Sequence, residues 1–240
     1  MAKIFLALLS LYLVPGWAAV PGNSLRIAPQ KKIYDILMQP HKKRLLSLKA
    51  NAESFDQLEK MAKDQRQTLQ VRWRAITAMG EVFPKKSKNV LESLATSREW
   101  YVRNAVMIAL NHVDRATALK WARYMLEDRS LIVRTSAVQT IRKFKATELR
   151  DLLWKKIDSE ENFHRGQSLW IRKDMAATLM GFAGQGEEEK FLRLLLDGDP
   201  RIHPFAMAAL KKITGENPGK GKTVADARSS WIKYFKNRFN

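Results

Sequence analysis

Apolar side chains recur along this chain in a fixed figure. Val71, Val102, Val133, Ile171 and Ile202 each open a stretch with a small or apolar residue four places later and a large one eight places later. The first set is Ala75, Val106, Ala137, Met175 and Ala206; the second is Met79, Leu110, Ile141, Leu179 and Leu210. Offsets of 0, 4, 7, 8 and 11 lie on one side of an α-helix, so each stretch predicts a helix with an apolar stripe. Offset 7 is small (Ala78, Ala109, Thr140, Thr178, Ala209) and offset 5 largely apolar (Ile76, Met107, Val138, Ala176, Met207). Small residues let helix axes approach to roughly 8–10 Å, and the wide stripe suits a helix with neighbours on both sides. The opening residues stand 31, 31, 38 and 31 positions apart. Such a near-constant interval marks a stacked array of helical hairpins, each burying its apolar side against the next.

Polar-apolar stretches between these helices supply their partners, near 54–63, 86–96, 116–127, 147–157 and 187–196. Ser54 is a credible N-cap, and Asp56 suits the positive end of the helix it begins. Glu187, Glu188 and Glu189 follow Gly184-Gln185-Gly186 and read as first-turn carboxylates on a helix dipole rather than an acidic site. Upstream, short helices are expected at 31–38 and 41–50, the second strongly basic on its polar side (His41, Lys42, Lys43, Arg44, Lys49). Downstream, Val224, Ala227, Trp231, Tyr234 and Phe235 form a stripe able to cover the last repeat.

The hairpins resemble the HEAT-repeat family, in its short bacterial HEAT-like variety. The features that carry this are Val-Arg or Ile-Arg after a short acidic or polar turn, with Ala and Leu at the offsets above. Ser97-Arg98-Glu99, Asp128-Arg129-Ser130 and Asp197-Gly198-Asp199-Pro200 are such turns. Ile213-Thr214-Gly215 and the helix with Trp231 resemble the usual ending of these proteins, with Tyr234 where a second tryptophan is common. The resemblance implies an all-α, right-handed, armadillo-like α-solenoid with N- and C-terminal capping helices. It divides the chain into a lead-in with capping helices (20–53), the array (54–213), and a loop with a capping helix (214–240).

Residues 1–19 read as a secretory signal peptide. Lys3 precedes an apolar run of 11 residues, Ile4 to Val14, then Pro15-Gly16 and a small-residue cleavage site near Ala18 or Ala19. That run is too short for a bilayer, which needs about 20 apolar residues. A periplasmic or secreted chain without a membrane span is therefore expected.

The formal net charge is +19. A field of that size attracts polyanions and also keeps an array soluble. The chain has no cysteine, which excludes disulfides, thiolate metal sites and a cysteine nucleophile. His41, His112, His164 and His203 stand apart without metal-ligand spacing, and Gly219-Lys220-Gly221-Lys222-Thr223 lacks the spacing of a phosphate-binding loop. No metal, cofactor or catalytic residue is expected, and no feature sets an oligomeric state.

Three residue groups carry the candidate chemistry. Arg72, Arg103, Arg134 and Arg172 recur at offset 1, either to grip anionic partners or, as the resemblance implies, to bond turns of adjacent repeats. Trp73, Asn104, Thr135, Lys173, Arg142, Lys143, Lys211 and Lys212 are expected on a concave binding face. The 38-residue interval holds seven extra residues within 158–168, as a binding loop with Phe163, His164 and Arg165 or as a lengthened helix. Together these features describe an exported, non-enzymatic scaffold for protein–protein interaction in the cell envelope. A basic solenoid for nucleic acid or lipopolysaccharide is the alternative. A HEAT-like DNA glycosylase using Trp121, Trp154, Trp170 and Asp174 is more remote, because it matches no motif and conflicts with export.

Overall fold

The computed structural model describes residues 28–239, so the expected signal peptide lies outside the described residues. Thirteen α-helices fill them: α1 Ala28–Met38, α2 His41–Lys49, α3 Ser54–Lys63, α4 Leu69–Val82, α5 Pro84–Leu94, α6 Trp100–Leu110, α7 Arg115–Met125, α8 Leu131–Lys143, α9 Arg150–Lys156, α10 Trp170–Phe182, α11 Glu188–Leu196, α12 His203–Thr214 and α13 Val224–Phe239. Local chemistry sets several ends. The Thr68 hydroxyl and the Asp114 carboxylate accept from Val71 N and Thr117 N, capping α4 and α7. Gly215 ends α12 at φ 76°, a left-handed backbone that glycine adopts without strain.

Five hairpins result: α3/α4, α5/α6, α7/α8, α9/α10 and α11/α12. Their second helices stack in order, α4 on α6, α8, α10 and α12, as the period requires. The repeat-opening residues and those at offsets 4 and 8 are all buried, as are the small residues at offset 7. This is an all-α helical-repeat fold with one continuous seam. At the start, α1 packs on α3 and α2 on α4; at the end, α13 packs on α11 and α12. Trp231 and Phe235 of α13 are buried and stacked at 5.9 Å, whereas Val224 is 53% exposed and is not part of that apolar contact. Among the described residues no helix is long and apolar enough to cross a membrane.

Several elements differ from expectation, and Ser54 is the first residue of α3 rather than its N-cap, a position Glu53 takes without a side-chain hydrogen bond. Helix α1 starts three residues early, at Ala28, with Pro29 in a first turn that needs no N–H there. The helix expected at 147–157 is split into a 3-10 turn, Thr147–Leu149, and the short α9, just after Lys145 takes φ 48°. The extra seven residues are neither lengthened helix nor irregular loop. They form a 3-10 turn (Glu160–Asn162) and a two-residue antiparallel hairpin, β1 Phe163–His164 with β2 Gln167–Ser168, closed by Arg165 and Gly166 at φ 50° and 76°.

Gly80 sits where α4 and α6 approach closely: a Cβ there would lie 2.4 Å from the Ala109 carbonyl oxygen. Helix propensity favours alanine by about 0.5–1 kcal/mol, but parting two packed helices costs about 1–3 kcal/mol. The clash should win. Gly80→Ala should lower unfolding free energy in urea by about 1–2 kcal/mol; a stabilised variant would contradict the observed approach.

Candidate functional site

Four buried guanidiniums run along the array, and each is bonded on two sides. Arg72 donates through Nε to Ala62 O (3.0 Å) and through Nη1 to Glu99 and the Tyr101 hydroxyl. Arg103 makes a bidentate pair with Asp128 (2.6 and 2.7 Å) and donates to Ser97 O and Arg98 O. Arg134 donates to Asp128 O behind it and Glu161 O ahead (2.8 and 2.6 Å). Arg172 donates to Ile157 O and Asp158, and to Asp197 of the next turn (3.2 and 2.7 Å). Each clamps its own turn to the next one, so the ladder holds repeats together and is closed to solvent. His203, the fifth member, meets Asp197 O at 2.8 Å.

The electrostatics follow the partners. The Asp128 hydrogen bonds raise the pKa of Arg103 despite burial. Burial lowers that of Arg134, against the attraction of Glu161 and Asp128. For Arg172 burial opposes the charge, and the hydrogen bonds to Asp197 and Asp158 outweigh it. Tyr101 and Arg72 hold Glu99 below the usual carboxylate range, and Arg201 holds Asp199 at about 2.

From α6 to α10 the second helices pack on first helices and on one another, which leaves their side away from the hairpin seam without a covering helix row among the described residues. Trp73, Asn104, Thr135 and Lys173 all point to this side, but they are not equivalent. Asn104 and Thr135 are corrected from open binding positions to stitches between repeats, 7% and 9% exposed. The Trp73 indole N–H donates to Asn104 Oδ1 (3.2 Å), and Asn104 Nδ2 to Ser136 (2.7 Å). The Trp170 indole donates to Thr135 (3.1 Å), which donates to Leu131 O. Sequence spacing shows the side these residues occupy; their partners lie 31 to 35 residues away and leave no local signal.

A further row was not anticipated. Leu69, Trp100, Ile132 and Trp170 stand one or two places before the first four opening residues and are 48%, 43%, 41% and 48% exposed; Ile202, preceded by Pro200 and Arg201, has no counterpart. The four line the N-terminal ends of successive second helices. The recurrence of large apolar residues just outside the repeat figure is the signal that could have shown them.

The opposite ends of two second helices, α8 and α12, are basic. Lys143 Nζ donates to Asn111 O (3.0 Å) and Lys212 Nζ to Gly181 O (3.1 Å), each reaching the end of the preceding second helix. Unfilled carbonyls and the negative dipole end favour a cation there. Arg142 stands 3.5 Å from Asp174. Lys173 and Lys211 are exposed, without an ion pair among the described residues. Burial and Lys143 hold His112 below the usual imidazole pKa.

The inserted hairpin splits its candidate residues. Phe163 is half-buried under the Arg172 guanidinium, 4.5 Å from its ring centre, and is therefore structural; His164 and Arg165 are exposed. A missed residue, Asn162, is buried: it accepts from Leu169 N, donates to Lys156 O, and lies 3.4 Å from Arg134. An open cleft of about 500 Å³ separates the hairpin from the turn at 197–201, but its carboxylates are taken by Arg172 and Arg201. The glycosylase set does not converge. Trp121 and Trp154 lie on first helices, bonded to Glu92 and buried Glu187; Trp170 and Asp174 lie on the second-helix face. Among the described residues no histidine-carboxylate group is arranged to hold a metal.

No protein-family model and no curated protein matches the chain. Solved structures do. An engineered protein is similar at TM-score 0.50 and 16% identity, over 78% of this chain and 89% of that one. The complex of CpcE and CpcF of phycocyanin lyase from Nostoc sp. PCC7120 is similar at TM-score 0.42 and 13% identity, over 93% of each chain. At such identity the likeness concerns the fold. One expectation is corrected: a lyase is an enzyme and stands among the similar structures, so the exclusion of an enzyme is withdrawn. A helical-repeat fold does not decide for or against catalysis.

Replacing Arg172 by alanine should lower unfolding free energy by about 3 kcal/mol, because it strands carboxylates at the repeat junction while leaving them partly hydrated. Arg142→Gln, on the exposed face, should change it by less than about 1 kcal/mol. Equal effects in urea titrations would contradict the buried clamp. Depressed carboxylates contribute stability above their unfolded pKa of about 4 and lose it as pH falls through the folded value. For Asp199 that value is about 2. Melting temperature should therefore hold from pH 7 to about 5 and fall below that; Asp199→Asn should make the fall shallower.

Proposed function

We propose that the chain is an exported HEAT-like scaffold holding a segment of another protein along the free face of its second helices. Apolar side chains of that segment lie against Leu69, Trp73, Trp100, Ile132 and Trp170. Acidic ones lie toward Lys173 and Lys211. The exposed apolar row is the observation that carries this reading: it recurs over four successive repeats and its members keep 41–48% of their surface in water. Indole hydrogen bonds fix Trp73 and Trp170, so ordering those rings on binding costs little entropy. A row of exposed large apolar side chains suits a partner protein better than a polyanion. Several cations of the face are also already committed to carbonyls or to Asp174. The proposed envelope location rests on the signal-like pattern of residues 1–19, and the HEAT-like assignment on the turn and offset residues.

The test is crosslinking and pull-down from envelope fractions, with N-terminal sequencing of the captured chain. Sequencing should begin near residue 20. Trp100→Ala with Ile132→Gln should weaken binding of the recovered partner by about 100-fold, as loss of central aromatic anchors does, with helix content unchanged. Glutamine at 142, 143, 211 and 212 should have a smaller effect. The reverse ranking, with affinity falling linearly on a log–log salt plot, would replace the protein partner by a polyanion.

A further inference from the structure

Helix α2 lies toward the N-terminal side of the array, packed on α1 and α4, with Leu48 its one buried side chain. Lys42, Leu46 and Lys49 follow one another at intervals of four and three, with Lys43 beside them, so the four share the outward face. Leu46 is 63% exposed. The three lysines are exposed and make no ion pair among the described residues. The helix itself contains no carboxylate. The nearest along the chain are Asp35 and Glu53, both exposed, and Glu53 accepts from Gln57. Across the contact with α4, Glu81 is paired with His41, and Arg74 and Arg44 direct their guanidiniums to the Leu37 carbonyl.

A leucine mostly in water, ringed by three free lysines, contributes nothing to the seam. Lysines alone would suit any polyanion. Leucine at their centre is of no use to a phosphate backbone, but it matches the boundary of a bilayer. There an apolar side chain and the lysine stems enter among the acyl chains while the ammonium groups reach anionic headgroups. We infer that the outward face of α2 docks the array on an anionic lipid membrane. This site is separate from the second-helix face, so neither reading depends on the other.

The experiment is co-sedimentation of the full-length chain with vesicles of phosphatidylglycerol and phosphatidylcholine in equal parts. Variants are compared with the parent, so any binding through the apolar Ile4–Val14 run is common to both. Lys42→Gln, Lys43→Gln and Lys49→Gln together should weaken partition by about 100-fold, and Leu46→Gln alone by about tenfold. Parent and triple variant should bind pure phosphatidylcholine equally. Triple-variant binding equal to the parent on the anionic vesicles would overturn the inference. So would loss of single-stranded oligonucleotide binding in the triple variant while Leu46→Gln leaves vesicle binding intact, because the face would then be a general polyanion site.

Discussion

A guanidinium placed between two helical hairpins and shut off from water needs hydrogen-bond acceptors on both sides. In this chain it finds them in the turn of its own repeat and in the turn of the next. Leaving such a charge unpaired costs several kcal/mol, far more than an exposed pair gains. The requirement therefore acts on register as well as stability. A hairpin that slipped along its neighbour would separate Arg103 from Asp128 or Arg172 from Asp197. The apolar seam supplies attraction without direction, and the clamps supply the alignment.

The same clamps position the exposed face. Glu99, gripped by Arg72, directly precedes Trp100; Ser168, bonded by Arg172, lies two residues before Trp170; and Asp128, gripped by Arg103, lies four before Ile132. Arg72 and Arg103 thus fix the turns from which Trp100 and Ile132 project, and Arg172 holds the approach to Trp170 in its own repeat. The indole bonds of Trp73 and Trp170 extend this order across the face. Stacking and surface are one construction: the contact that sets the spacing of repeats also sets the spacing of the row.

Periodicity made the helices, their order and the seam legible, because offsets of 4, 7 and 8 translate directly into one buried side. The turn-gripping arginines were also legible as one of two uses. What periodicity cannot carry is pairing across repeats. Asn104 and Thr135 fall on the expected side of their helices, yet their partners come from neighbouring hairpins, so burial replaces the open position expected of them. The inserted hairpin was hidden for another reason. Its turn residues, Arg165 and Gly166, lack the asparagine or aspartate that usually marks a two-residue turn with positive φ. Phe163, set beside it, is claimed by Arg172. The apolar row escaped because it sits just before each repeat figure begins, where composition varies among leucine, isoleucine and tryptophan.

A double-mutant cycle on Arg103 and Asp128, both only 8% exposed, addresses the coupling between repeats most directly. Unfolding free energies of Arg103→Met, Asp128→Asn and the double variant would be measured in urea. The expected coupling is about 2 kcal/mol, as for side chains in one buried network. Additive effects, with coupling below about 0.5 kcal/mol, would contradict the claim that these buried clamps hold one repeat to the next.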